Sequence, residues 1–174
     1  HVIEIINHSS GSQFIIWNKA GVVVQGPTVL TSLTGIAGAG DPVVMYDQIA
    51  DRWILTEFAG ASINTLVWAV STTNNPTGTY KIYSYTFPYS ADYPHYSVWH
   101  NAYYGITHDF QPSYVGSSIY AFDRAAMLAG AATATVVSFR FDQTPEIRNR
   151  MFTNLPVHQE GPASSNQSGL FSFF

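Results

Sequence analysis

DPVVMYDQIADRWILTEF, residues 41–58, returns in altered form as DYPHYSVWHNAYYGITHDF, residues 92–110. Each copy opens on an aspartate with a proline close behind it, Pro42 in one and Pro94 in the other. An apolar run comes next, then a polar turn at Asp51 or Asn101, then a second apolar run closing on an acid and a phenylalanine. The opening aspartates, Asp41 and Asp92, stand 51 positions apart (41 and 92). The segments downstream of the two copies also match in order. Residues 64–73 (NTLVWAVSTT) and 80–87 (YKIYSYTF) trail the first, and residues 117–123 (SSIYAFD) and 133–141 (TATVVSFRF) trail the second.

Four short strands per period, separated by Gly, Asn, Asp and Pro turns, predict an all-β protein built of β-propeller-type four-stranded blades. The third strand of the first unit has both faces apolar, Leu66, Trp68 and Val70 on one and Val67 and Ala69 on the other, as a strand covered on both sides requires. The fourth strand mixes Lys81, Tyr83 and Tyr85 with Ile82, Ser84 and Thr86, which suits a partly wet outer position. The dipeptide Thr77-Gly78 marks the turn between the two. One helical interruption is expected, Arg124–Ala129, with Asp123 as N-cap and Gly130 as its stop. Residues 35–40 (GIAGAG) read as a small-residue loop, and the absence of a following Lys argues against a phosphate cradle.

On this division residues 1–34 end one blade, 41–87 form a second, 92–141 a third, and 152–174 start the next. In the first of these, residues 1–6 and 12–18 read as a hairpin, followed by Val22–Val24 as a strand ending at Pro27. At 51 residues per repeat, 174 residues make about three repeats, and closure takes at least about four. The expectation is therefore a fragment, or one part of a multi-chain assembly in which a homo-oligomer or additional chains complete the propeller. The start at His1 and the apolar end at Phe174 read the same way, as a processed chain or a piece of a longer one.

Composition narrows the function classes. Charged residues are 10 % of the chain and aromatics 15 %, the balance of strands rather than helices. With seven Lys and Arg against eleven acids, the net charge of −4 provides no basic footprint for phosphates, so nucleic acid is excluded as a partner. No apolar run approaches the roughly twenty residues of a membrane span, so membrane insertion is not expected. With no cysteine, disulfides, thiolate metal sites and a Cys nucleophile are ruled out. Low charge and two glycosylation sequons, at Asn7 and Asn166, point to a secreted or cell-surface protein.

Several residues could carry chemistry. Asp41 and Asp92, at the start of inner strands, could face a central channel and act as a carboxylate pair on a glycosidic bond. Equally, each could cap a blade entry by accepting backbone N–H bonds. Asp47, Asp51 and Arg52 offer two acids where a calcium loop needs more, so a turn held by an Asp–Arg pair is expected. His95, His100 and His108 with Asp109 lack compact ligand spacing and read as structural; neither a metal site nor a cofactor is predicted. Glu160, near His158, could be a further channel acid. Tyr93, Tyr96, Trp99 and Tyr103, with Tyr104, are dense enough to form a stacking platform for sugar rings, although packing between blades explains them as well. No Gly-x-Ser-x-Gly elbow supports serine hydrolysis.

The segment Gly40–Trp53, of pattern GDPVVxYDQxADRW, resembles one found in large secreted propeller-like proteins, chiefly bacterial. Residues 71–78 (STTNNPTG) and 120–130 (YAFDRAAMLAG), and more loosely the tail at Gly161-Pro162, are similar to the same proteins. A second and shorter resemblance is to arabinanase-like five-bladed glycosidases, whose inner strands often begin Asp-Pro as Asp41-Pro42 does. The first resemblance implies a secreted non-catalytic module for glycan or extracellular protein binding or structural assembly. The second implies a glycoside hydrolase using Asp41 and Asp92.

Overall fold

A computed structural model describes residues 1–141, 145–146, 154–159, 161 and 169–172. The protein is all-β and divides into two compact units, His1–Phe87 and Pro88–Phe174. Each contains a four-stranded antiparallel sheet whose strands lie in chain order.

The first unit opens with β1 (Val2–His8), β2 (Gly11–Trp17) and β3 (Val23–Val29), an antiparallel sheet in the order β1-β2-β3. A single turn of helix, α1 (Thr31–Thr34), closes on Gly35 at φ 71° and leads into the second sheet. That sheet is β4 (Gly38–Asp47), β5 (Arg52–Ala59), β6 (Thr65–Ser71) and β7 (Tyr80–Thr86). In β6 the run Leu66–Val70 is at most 1 % exposed on both faces, which is why it reads as an unbroken apolar string. Burial is mixed in β7, where Tyr83 is buried while Lys81, Ser84 and Thr86 are exposed. The two sheets share a core in which Ile3, Phe14, Ile16 and Leu30 meet Leu55 and Ala69. Each large apolar side chain fully withdrawn from water contributes about 1.5–3 kcal/mol.

In the second unit β8 (Ser90–Val98), β9 (Tyr103–Phe110), β10 (Tyr114–Phe122) and β11 (Val136–Phe141) form the sheet. Helix α2 (Arg124–Ala129) joins β10 to β11; the Asp123 carboxylate accepts from the Ala126 N–H at 3.0 Å, and Gly130 ends the helix at φ 65°. A short pair, β12 (Leu155–Pro156) and β13 (Phe171–Ser172), lies beside β8 and β9. It is fastened by Gln159, whose N–H donates to the Val98 carbonyl at 3.0 Å.

Three local expectations change. Residues 38–40 belong to β4 rather than to a loop, paired with Phe58 and Ala59 across a register shift. Glycine is needed there because a Cβ on Gly38 would stand 2.0 Å from Glu57 Oε2. Strand β3 runs on through Pro27 to Val29, which an edge strand tolerates because one row of its N–H groups has no partner strand. The β4–β5 turn is held by Asp47, whose Oδ1 accepts from the N–H of Ile49 (3.0 Å) and Ala50 (2.9 Å), while Arg52 donates to the carbonyls of Ala50 and Asp51. Asp51 accepts from the Tyr46 hydroxyl and from Asn74, which holds its carboxyl below the usual carboxylate range. Of the blade expected to start at residue 152, the described part holds the strand Leu155–Pro156; Phe152, Glu160 and Asn166 lie outside the described residues.

Candidate functional site

In both four-stranded sheets the first strand slips register against the second at one matching place. Across β4 and β5, Gly40 pairs with Phe58 and Val43 with Thr56, so Asp41 and Pro42 bulge opposite Glu57. Across β8 and β9, Asp92 pairs with His108 and His95 with Ile106, so Tyr93 and Pro94 bulge opposite Thr107. The residue before each proline has positive φ, 50° at Asp41 and 55° at Tyr93. Thus Asp41 corresponds to Tyr93, and Asp92 takes the place of Gly40. The two sheets match at their prolines, 42 and 94, rather than at their aspartates.

This placement sets the hydrogen-bond partners of the aspartates. Asp41 exchanges two hydrogen bonds with Asn7: its N–H donates to Asn7 Oδ1 at 2.7 Å, and Asn7 Nδ2 donates to its carboxylate at 3.2 Å. Asp92 Oδ1 accepts from the Tyr93 N–H at 2.7 Å. Both carboxylates therefore hold the chain beside a bulge, and they belong to separate units. Asn7, the first sequon residue, is exposed on β1 with its amide engaged by Asp41.

The aromatic set splits. Trp99 and Tyr103 are buried, and the Arg124 guanidinium lies 5.8 Å above the Tyr103 ring. Neither offers a face to solvent, because both sit where the β8–β9 hairpin meets the core. Tyr96 lies half-buried across Gly105, filling the space a side chain there would need. Tyr104 packs edge-on against Phe171. Only Tyr93 of the four expected platform residues remains open, at 46 % exposure. Its ring stacks on His108 at 4.7 Å and meets His95 edge-on at 4.2 Å, and Tyr114 meets His108 edge-on at 5.6 Å. Burial holds the His95 pKa below its ordinary value, so at neutral pH this imidazole is uncharged. A left-handed backbone is costly for a tyrosine. Here it turns the ring outward against two imidazoles.

Glu57, opposite the first bulge, was passed over in the sequence, and Asp109, two residues beyond Thr107 on β9, was read there as structural. In the second unit Asp109 Oδ2 accepts from Ser118 (2.7 Å) and from Arg140 Nε (2.9 Å), and Thr107 donates to Oδ1 at 3.3 Å. Arg140 also donates to the Val115 carbonyl and stacks over Tyr89 at 3.8 Å. Burial raises the Asp109 pKa and these donors oppose the rise. In the first unit Glu57 is 2 % exposed, with no hydrogen-bond partner for either carboxyl oxygen among the described residues. The buried Ser12 hydroxyl lies near it without hydrogen-bond geometry, and burial pushes the Glu57 pKa up. The signal in the sequence was the acid just before Phe in each second strand, Glu57 and Asp109, but the Ser118 and Arg140 partners of Asp109 come from other strands.

Among the described residues no group of three or more His, Cys, Asp or Glu side chains could hold a metal ion, and no helix is long and apolar enough to cross a membrane. Comparison with models of known protein families, with curated proteins and with solved structures finds no match in any of the three.

Proposed function

We propose that the chain is a non-catalytic module of a β-propeller-like secreted or cell-surface protein, and that it binds a glycan through the Tyr93 surface. The observation that carries this reading is the exposed Tyr93 ring, set out by a positive-φ bulge and backed by His108 and His95. A tyrosine ring held against two imidazoles stacks on the C–H face of a sugar ring. The two four-stranded sheets of matching order and the paired bulges support repeated blades, about three of them, completed by further sheets from the same or another chain. The resemblance of residues 40–53 to secreted propeller-like proteins points the same way.

The hydrolase alternative needs Asp41 and Asp92 free to act as acid and base, and both carboxylates are engaged locally. Binding and hydrolysis of a panel of plant and microbial polysaccharides separate the two. Retention of wild type on one polysaccharide, lost in Tyr93→Ala and kept in Asp41→Asn, is expected. Release of reducing sugar that disappears in Asp41→Asn would replace this reading with a glycosidase.

A further inference from the structure

Taking glycan binding at Tyr93 as its basis, we infer that this surface selects amino sugars with a free, protonated amine, and that Asp92 is the residue that selects them. Asp92 and His108 are direct partners across β8 and β9. Side chains so paired project to one face of a sheet, with Cβ atoms about 4.5–5.5 Å apart. The Tyr93 ring stacks on His108 at 4.7 Å, so ring and carboxylate flank the same imidazole. Both Asp92 and Tyr93 are exposed. Asp92 Oδ1 accepts from the Tyr93 N–H at 2.7 Å, which holds the carboxylate beside the ring. Its Oδ2 has no hydrogen-bond partner among the described residues.

Asp92 sets the charge of this face. The row of residues across the sheet at this point is Asp92, His108, Ser117 and Phe141, and the next row runs from His95 to Phe139. Neither row holds a lysine or an arginine. Arg140 projects to the opposite face, where it holds Asp109. Burial keeps the His95 pKa below its ordinary value, which disfavours a cation there. A carboxylate with no cation beside it pairs with an ammonium group through a charge-assisted hydrogen bond, and it repels uronates and sulfated sugars. The face of an aromatic ring attracts the same cation. A pyranose that stacks its C–H face on Tyr93 and carries an amine at its edge meets both groups. An N-acetyl or hydroxyl group in the amine's place keeps the stack and loses the charge pairing.

The probes are three linear hexamers that differ in a single substituent per sugar, of glucosamine, N-acetylglucosamine and glucose, titrated into the full chain by calorimetry at mildly acidic pH. The glucosamine hexamer should bind about fivefold more tightly than the other two, the effect of one exposed charge pair. Asp92→Asn retains an acceptor for the Tyr93 N–H and should erase that preference without weakening the glucose hexamer. Asp41→Asn removes the same charge elsewhere and should leave the preference unchanged. Tyr93→Ala should remove all binding. Equal binding of the three hexamers, still lost in Tyr93→Ala, would overturn the selection of amino sugars and leave glycan binding standing. A preference that survives Asp92→Asn, or that falls as far in Asp41→Asn, would overturn it equally. If no hexamer binds, the inference is overturned, and the polysaccharide panel decides whether glycan binding falls with it. A lysine hexamer that binds as tightly, with the same dependence on Tyr93 and Asp92, would make a cationic peptide the occupant and overturn the inference too.

Discussion

The two units place a buried acid at nearly the same point of nearly the same sheet and treat it in opposite ways. In the first, the row running across the strands is Glu57, Val67 and Ser84, with a carboxyl group and no cation. In the second, the equivalent row is Thr107, Ser118 and Arg140, with Asp109 two residues along β9 on the same face. Asp109 is ringed by a guanidinium and two hydroxyls; Glu57 rests against the bare backbone of Gly38. A buried carboxylate without donors loses its hydration and gains nothing in return, so protonation is its escape. With a charge-assisted pair it can stay ionised. The same bulged architecture thus carries an acid without a charged partner in one unit and an ion pair in the other.

The largest effect is expected where the pair is broken. Arg140→Ala leaves Asp109 buried without its cation and should destabilise the second unit by about 3 kcal/mol, read from urea unfolding. Asp109→Asn with Arg140→Met should recover much of the loss; an additive double variant would mean the two side chains act independently. Next comes Gly38→Ala, whose new methyl group collides with the Glu57 carboxyl and should cost about 1–3 kcal/mol. In a Glu57→Ala background that cost should fall to within about 0.5 kcal/mol, and equal costs in both backgrounds would refute the contact.

A third effect is one of pH. The Glu57 pKa is higher in the folded chain than in the unfolded one, so the native state binds more protons. The stability linked to Glu57 is therefore fully present below the ordinary carboxyl range and is lost as pH rises through the raised value. Glu57→Gln should flatten that decline in a series of unfolding curves, by up to about 1.4 kcal/mol per pH unit in the window between the two values. A decline identical to wild type would show that Glu57 is already ionised in the folded state. The smallest effect belongs to Asp41→Asn. Asparagine tolerates positive φ and can still accept from Asn7, so unfolding should shift by no more than about 0.5 kcal/mol.

Much of the fold was legible because strand and turn chemistry are local. The unbroken apolar run of β6, the Asn75-Pro76-Thr77-Gly78 turn and the Asp123 cap with its Gly130 stop all act over a few residues. Residues 38–40 misled because glycine serves a loop and a crowded strand equally, and the crowding comes from Glu57, nineteen positions on (38 and 57). The aromatic platform misled for a related reason. Composition counts rings but does not say which are covered, and Trp99 and Tyr103 are needed in the core.

By itself the sequence determined an all-β chain with a four-stranded unit that occurs twice in matching order, because alternation and turn residues set strand and hairpin without reference to anything distant. Only the tertiary structure decided the register within those two sheets. A bulge shifts one strand against its neighbour, and its position is set by cross-strand pairing rather than by the residues of one strand. That single shift puts Tyr93 where Asp41 stands, spends both aspartates on local hydrogen bonds, and leaves one tyrosine ring facing water.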